Sequence, residues 1–198
     1  GSGNWSGNNP GAGSTINASG LSYPGLPTSG GKAVMAAGTN NEIKLDNADY
    51  PAAAAGGWDQ TDGGTFYMSY LIDGPHMDLW HNPFGDGSIT RIRDSHVELF
   101  NTGVSESTTV AAEPGLKLVM MRMTMPTSGG DPGLQEIAVN PDLTQDEETI
   151  FASGSSVSIF SLSSDDALIQ FSRKPNEPET AIDEFRMATT FDEAVGVP

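Results

Sequence analysis

The amino-acid sequence predicts an all-β protein, a two-sheet antiparallel β-sandwich. Short runs with alternating apolar and polar residues recur along most of the chain, which is the pattern of half-buried strands. Gly (24 residues) and Pro (13 residues) are plentiful, and turn-forming clusters separate nearly all of the runs. No amphipathic helix longer than about two turns is convincing. Many short strands with this punctuation are typical of sandwiches.

The predicted elements follow one another in a regular order. The first 31 residues are rich in Gly, Asn and Ser, and they predict loop with one or two short strands. The clearest strand is 65–73, and 116–125 is apolar on both faces at its start, which predicts a central strand. The other predicted strands are 32–36, 42–46, 77–80, 89–93, 97–100, 135–139, 157–162, 168–172 and 180–188, with a short helix within 142–150.

The composition limits the classes of partner. The chain carries 26 acidic and 9 basic residues, a net charge of −17, so its surface repels nucleic acid and anionic membranes. No Cys is present, and no run approaches the length of about 20 apolar residues that spans a bilayer. We divide the chain into a Gly/Asn-rich arm (1–14), a sandwich domain (15–194) and a tail (195–198), and we expect an extracellular or cell-surface protein whose signal peptide has been removed.

Several motifs carry a family resemblance. The segment Ala-Ile-Asp-Glu-Phe-Arg-Met-Ala-Thr-Thr-Phe-Asp-Glu-Ala (181–194) resembles the closing strand of concanavalin A-like, laminin-G-like jelly-roll domains, above all those of bacterial secreted and exosortase-sorted proteins. Leu-Ser-Tyr-Pro-Gly-Leu (21–26) and Leu-Val-Met-Met-Arg-Met-Thr-Met (118–125) are similar to earlier strands of that family. The resemblance implies a jelly-roll fold. Only the tail of the family's usual opening segment, Trp5-Ser6-Gly7, is present, so we expect that a first strand was cleaved or lies outside this chain.

Asp183 is the first candidate site residue. Strand alternation places it in phase with Phe185 and Met187, so the sequence predicts a carboxylate that faces the core and needs a partner. In the laminarinase-type jelly rolls that the chain resembles, the matching Asp binds a structural calcium ion, so the resemblance implies a Ca²⁺ ligand at Asp183. The alternative is a carboxylate that accepts from backbone N–H groups or pairs with an arginine.

Aromatic residues indicate sugar binding. Trp58, Trp80 and Tyr67 offer flat apolar faces on which a pyranose ring could stack, and Asp59 and Gln60 beside Trp58 could bind hydroxyl groups. Tyr67 alternates away from the predicted core face of its strand, so we expect it on a concave sugar-binding face. The alternative is that these aromatics anchor the core or the loops.

A metal site is the weaker interpretation of another polar segment. Residues 75–86 gather His76, Asp78, His81 and Asp86, residue types that bind transition metals, but their spacing fits no tight motif. An ordinary polar loop is the favoured interpretation.

The sequence contains one acid/base-like group of residues. The Glu-x-Asp-x-x-Glu motif of laminarinase-type enzymes is absent. Asp94, His96 and Glu98 fall on one strand face, and Arg91 and Arg93 lie close to His96, which keeps a lyase acting on uronates among the alternatives. A solvated polar face is the simpler interpretation of the same pattern.

From these features we predict a secreted, non-catalytic glycan-binding or adhesion module whose partner is a polysaccharide or glycoconjugate. Two alternatives stay open. The first is a structural surface, matrix or filament subunit that assembles with further copies by strand addition, through the N-terminal arm or an exposed sheet edge. The second is a polysaccharide hydrolase or lyase.

Overall fold

The computed structural model describes residues 14–28, 30–36, 41–45, 64–81, 88–101, 106–124, 133–159, 169–173 and 176–196. These residues contain thirteen strands and two short helices. The strands form one seven-stranded and one six-stranded sheet, and every strand pair is antiparallel. The predicted all-β, two-sheet jelly-roll sandwich is therefore confirmed.

The strands are bounded as follows: β1 Ser14–Asn17, β2 Lys32–Met35, β3 Asn41–Leu45, β4 Thr65–Asp73, β5 Met77–His81, β6 Ser88–Ile92, β7 His96–Asn101, β8 Glu106–Ala111, β9 Leu116–Thr124, β10 Gly133–Val139, β11 Ser155–Ile159, β12 Ile169–Arg173 and β13 Thr180–Ala188. The helices are α1 (Glu147–Ala152) and α2 (Phe191–Ala194). The seven-stranded sheet has the order β1-β2-β13-β4-β9-β10-β11, and the six-stranded sheet has the order β3-β12-β5-β6-β7-β8.

The main core lies between the two sheets. Side chains at alternate positions of β4 and β9 face those of β5, β7 and β12, because successive residues of a strand point to opposite faces. The ring of Phe171 packs edge-on against Tyr70 (centroids 5.9 Å apart) and Phe185 (5.4 Å). Each such large apolar side chain contributes about 1.5–3 kcal/mol when it leaves water.

A second core covers the outer face of the seven-stranded sheet. Leu71, Leu118 and Met120 point away from the main core and pack against residues of α1 and α2, which include Ile150 and Phe151. The helices are held there by polar contacts as well. Ser69 Oγ donates to the carbonyl of Ala194 (2.6 Å). The centre of the seven-stranded sheet is therefore buried on both faces, and its strands β4 and β9 are apolar on both sides, as the sequence predicts for 116–125.

One arginine joins α1 to this covered face. The guanidinium of Arg122, on β9, makes two parallel hydrogen bonds with Glu136 on β10 (2.6 and 3.0 Å). Its Nη1 also donates to Glu147 (2.9 Å) and Glu148 (2.6 Å) at the start of α1. It stacks over the ring of Phe151 at 4.7 Å. We call Arg122 with these three glutamates the Arg122 cluster.

A β-bulge in β13 corrects the prediction for Asp183. The pairing of β13 with β4 shifts register between Asp183 and Arg186, and Glu184 has a left-handed backbone (φ 50°). The extra residue puts Ile182, Phe185 and Met187 on the main core, whereas Asp183 faces the opposite side. Asp183 is therefore buried, as expected, but it is not in phase with Phe185 and Met187.

Other differences from the predicted elements are small. Strand β8 was not predicted, because Glu106–Ala111 is an edge strand whose side chains are mostly exposed and polar. The four-residue helix α2 was not predicted either. Among the described residues, no helix has the length and apolar character needed to cross a lipid bilayer.

Candidate functional site

The outer face of the six-stranded sheet carries a concentration of charged side chains. Met77, Leu79, Ile92, Val97 and Leu99 point into the main core. The residues that alternate with them therefore point to the other side of the sheet. We define the polar face as the surface formed by Asp78 on β5, Arg91 on β6, Arg93 just after β6, and His96 and Glu98 on β7.

Arg91 lies at the centre of the polar face. Strand register puts Asp78 opposite Arg91 on one side and Glu98 opposite it on the other. Arg91 Nη1 donates to Glu98 Oε2 at 3.2 Å, and the guanidinium lies over the ring of Phe100 at 4.6 Å. Among the described residues, this guanidinium makes no other polar contact. Since an arginine has five N–H donors, Arg91 is oriented but keeps donors for a ligand.

Arg93 is held in a similar way. Its Nη1 donates to the carboxylate of Asp78 (3.0 Å) and to the backbone carbonyls of Ile92 (2.7 Å) and Met77 (3.4 Å). All three recorded contacts use the same nitrogen, so Nε and Nη2 are without partners in the described part of the chain. The side chains of Arg91 and Arg93 are 31% and 24% exposed, which leaves both accessible to a solute.

His96 stands beside Arg93. A tight turn joins β6 to β7, closed by a hydrogen bond from the N–H of Arg93 to the carbonyl of His96 (2.9 Å). The half-buried imidazole has its Nδ1 at 3.2 Å from the hydroxyl of Ser95. Its Nε2 has no partner among the described residues. The predicted grouping of His96 and Glu98 on one face is consistent with this geometry, whereas Asp94 lies in the turn and is exposed.

The polar face extends to a second histidine. His76 immediately precedes β5, and its Nδ1 lies 3.7 Å from Glu177 Oε1 in the loop between β12 and β13. The sequence carries no signal for this pair, because the two residues are distant in the chain and meet only through the pairing of β5 with β12. The Asp78–Arg93 pair was not predicted either, because it depends on the pairing of β5 with β6.

The arrangement is suited to an acidic ligand. Among the five residues that define the polar face, Asp78 and Glu98 balance the charges of the two arginines, whereas the chain as a whole has a net charge of −17. Guanidinium groups with unused N–H donors bind carboxylates through pairs of parallel hydrogen bonds. The imidazole of His96 next to them is a group that can accept or donate a proton.

The structure contradicts the expected position of Tyr67. Its ring alternates away from the main core as predicted, but that side of the seven-stranded sheet is the covered one. Tyr67 is 7% exposed, packs edge-on against Phe191 and donates its hydroxyl to Glu147 (2.7 Å). Burial and this hydrogen bond raise the pKa of Tyr67 well above its usual range. The side chain therefore does not stand on an open sugar-binding face.

The remaining sugar-binding candidates are untested. Trp58, Asp59 and Gln60 lie outside the described residues. Trp80 occupies a position on β5 opposite Ile89 on β6, two residues beyond Asp78, and its side chain is not among those described.

Asp183 has backbone partners. Its Oδ2 accepts from the N–H of Leu21 (2.5 Å) and its Oδ1 accepts from the N–H of Glu184 (2.9 Å). This is the alternative that sequence analysis left open. Calcium binding at Asp183 stays a prediction. Within the described ranges, no group of three or more His, Asp or Glu side chains is gathered for a metal ion, and the pairs His76–Glu177 and Asp78–Arg93 account for two members of the 75–86 candidate.

Comparisons with known proteins bear on the fold. No family model matches the sequence, and no curated protein matches it. Among solved structures, an endo-β-1,4-glucuronan lyase from Trichoderma reesei is similar, with 9% identity, a TM-score of 0.49, and coverage of 94% of this chain and 91% of that one. A double-cysteine variant of the alginate lyase A1-II′ has 8% identity, a TM-score of 0.48 and 86% coverage of both chains. A PL-14 alginate lyase from Aplysia kurodai has 11% identity, a TM-score of 0.45 and coverage of 84% and 87%.

These findings correct the predicted function. We expected a non-catalytic glycan-binding or adhesion module, yet the similar structures just described are named as polysaccharide lyases, which agrees better with the hydrolase or lyase alternative. Likenesses at these TM-scores do not establish an activity for this chain. The bacterial, exosortase-sorted subgroup and the extracellular location stay predictions.

Proposed function

We propose that this protein is a polysaccharide lyase that cleaves chains of uronic acids by β-elimination, with the polar face as its active site. One observation carries the proposal. Arg91 and Arg93 are each tied to a carboxylate through a single guanidinium nitrogen, and they stand beside His96, whose Nε2 is without a partner among the described residues.

The reaction makes three demands on a protein. The proton α to the uronate carboxylate is weakly acidic, so the negative charge of that carboxylate must be neutralised before a base can remove the proton. A base must then stand within hydrogen-bond reach of it. Finally, the glycosidic oxygen β to the carboxylate must leave as the double bond forms.

Arg91 and Arg93 answer the first demand. Their free N–H donors would bind the uronate carboxylate and stabilise the charge that spreads onto it as the proton departs. Asp78 and Glu98 act on the arginines, since each holds one guanidinium nitrogen in place. Neutral sugars lack the carboxylate that such an arrangement would recognise, so we expect polyuronates as the substrate class.

His96 answers the second demand. In the tautomer with the proton on Nδ1, that N–H donates a hydrogen bond to the Ser95 hydroxyl. The lone pair of Nε2 is then free to act as the base. The adjacent Arg93 would bring the uronate to this nitrogen, because the two residues close the same tight turn.

A hydrolase acting through Asp78 and Glu98 is the competing interpretation of the same face. These residues lie on the same sheet face on either side of Arg91, two strand spacings or about 10 Å apart between Cα atoms, and a glycosidase likewise uses two carboxylates. One member of such a pair must donate a proton, however. Each of these carboxylates is engaged by an arginine here and would have to leave that arginine to act as the donor.

The proposal is tested by incubating the protein with alginate, glucuronan and pectate, and with laminarin and cellulose as neutral polymers. A lyase generates unsaturated uronates, which absorb in the ultraviolet, together with new reducing ends. We expect both signals from at least one polyuronate and neither from the neutral polymers. New reducing ends without the absorbance would indicate the hydrolase instead. A folded protein that leaves every polyuronate intact would overturn the proposal.

A further inference from the structure

The side chains of His76 and Glu177 lie within ion-pair distance of each other at the end of the polar face. His76 Nδ1 lies 3.7 Å from Glu177 Oε1, and the two side chains are 39% and 21% exposed. The backbone of His76 is fixed separately, since Thr180 Oγ1 donates to its carbonyl (3.1 Å). The imidazole is therefore not required to hold this part of the chain in place.

Strand register brings His76 close to the proposed reaction centre. Met77 pairs with Ile92, so the preceding His76 stands across from the following Arg93. Arg93 in turn closes the tight turn with His96. Adjacent strands are about 4.8 Å apart, so the two histidines flank Arg93 with their Cα atoms about 10 Å from each other. A uronate bound at Arg93 would have one imidazole on each side.

We propose that His76, supported by Glu177, is the general acid that protonates the leaving glycosidic oxygen. This inference rests on the lyase function proposed above. In the step, the C–H bond α to the carboxylate breaks and its proton moves to His96 Nε2. The electron pair of that bond forms the new carbon–carbon double bond, and the bond to the glycosidic oxygen breaks. His76 Nε2–H gives its proton to that oxygen. Exchange with water then restores both histidines.

The surroundings of His76 fit a proton donor better than those of its neighbours do. A histidine that carries a proton on each nitrogen can donate to a carboxylate with one and to a substrate oxygen with the other. Nδ1 faces Glu177, whereas Nε2 has no partner among the described residues and is free to face a substrate. Asp78 and Glu98 are held by arginines, and Tyr67 lies on the other sheet.

The experiment compares two leaving groups. Wild type, His76→Gln and Glu177→Gln are assayed on the polyuronate that wild type cleaves and on a uronate whose leaving group is para-nitrophenolate, which departs without a proton. We expect His76→Gln to lose about 100-fold or more on the polymer. It should keep most of its activity on the activated substrate. Glu177→Gln should show a smaller loss with the same selectivity, and Glu179→Gln, an exposed carboxylate in the same loop, should match wild type.

Each outcome decides the question. Equal losses on both substrates, or no loss on the polymer, would overturn the role of His76 while leaving the lyase function intact. A wild-type protein that cleaves no polyuronate would remove the proposed function and this inference together. If His76→Gln melts at a lower temperature, Glu177→Gln supplies the same comparison. External imidazole that restores polymer cleavage to His76→Gly would support a proton donor at this position.

Discussion

The outer faces of the two sheets use arginine in opposite ways. On the seven-stranded sheet, Arg122 is 13% exposed, is bound by three glutamates and stacks on Phe151 beneath α1. On the six-stranded sheet, Arg91 and Arg93 are each bound by one carboxylate and stay partly exposed. The covered arginine has its hydrogen-bonding capacity consumed by the protein, whereas the polar-face arginines keep donors for something else.

This difference separates structure from function within one fold. A saturated, buried ion pair fixes one arrangement of its partners, and removing one partner leaves charges that are buried and uncompensated. A half-satisfied, exposed arginine contributes little to stability. Side chains of the second kind stabilise the fold little and keep hydrogen-bond donors unused, and they are therefore the ones to test for binding and catalysis.

The largest expected effect is the loss of the proposed base. His96→Gln keeps the size and polarity of the side chain but removes the proton acceptor, so polyuronate cleavage should fall by about 100-fold to 10,000-fold. The melting temperature should stay within a few degrees of wild type. Initial rates of unsaturated-product formation give the measurement. Retained activity would remove His96 from the mechanism.

The polar-face arginines come next. Arg91→Gln or Arg93→Gln should lower kcat/KM by about 100-fold to 1,000-fold, because a donor to the developing charge is lost. The unfolding free energy should change little, since both side chains are partly exposed and each is tied through one nitrogen. Lys32→Gln, which removes the same charge from the seven-stranded sheet, is the matched control. If the unfolding free energy fell as well, these arginines would have a structural role like that of Arg122.

Arg122 should show the reverse pattern. Arg122→Gln should lower the unfolding free energy by about 3 kcal/mol, because Glu136 and Glu147 would stay partly buried without their partner. Activity per folded molecule should be unchanged. Glu148 is 81% exposed, so Glu148→Gln is the control that should cost little. Chemical denaturation followed alongside the activity assay checks both.

Lys117 differs from both groups of arginines, because it is a buried basic residue without a carboxylate partner in hydrogen-bond contact among the described residues. Lys117 is fully buried, its amine donates to the carbonyl of Gly115 (3.0 Å), and burial lowers its pKa from the usual lysine value. In the unfolded chain the amine keeps its ordinary pKa, so at neutral pH the charged lysine weakens folding. Lys117→Met should therefore raise the unfolding free energy by about 1 kcal/mol near neutral pH. The gain should shrink as the pH rises towards the ordinary lysine pKa. A destabilised variant at neutral pH would contradict this.

The smallest expected effect concerns salt. The net charge of −17 repels a polyuronate at long range, whereas the contacts on the polar face act at short range and are screened less. KM for a polyuronate should therefore fall a few-fold as salt is raised from low ionic strength, the opposite of a protein that attracts its polyanion by overall charge. A KM that rises steadily with salt would indicate long-range attraction instead.

How much the sequence predicts depends on how local the signal is. Strand β4 was predicted because its apolar residues alternate along the chain, and β9 was predicted because a long run that is apolar on both faces indicates a central strand. Strand β8 was missed because an exposed edge strand needs few apolar residues. The phase of Asp183 was wrong because Glu184 adopts a left-handed backbone without being glycine, and the bulge that results leaves no local signature.

In the candidate site, too, the contacts within one local segment were predicted and those between distant segments were not. The grouping of His96 and Glu98 with the arginines was visible, since all four lie within eight consecutive residues, 91–98. The His76–Glu177 pair was not, because it depends on the pairing of β5 with β12. Tyr67 was assigned to the correct side of its strand but to the wrong environment, because the sequence does not show which sheet face α1 and α2 cover.

The proposed function requires the polar face to remove a proton and expel a glycosidic oxygen without adding water. The masses of the products released from a polyuronate distinguish this reaction from hydrolysis. We predict new non-reducing ends that are lighter by one water than those of a hydrolysed chain, and their disappearance in folded His96→Gln. Products of hydrolytic mass, or lighter products that His96→Gln forms at the wild-type rate, would contradict the account.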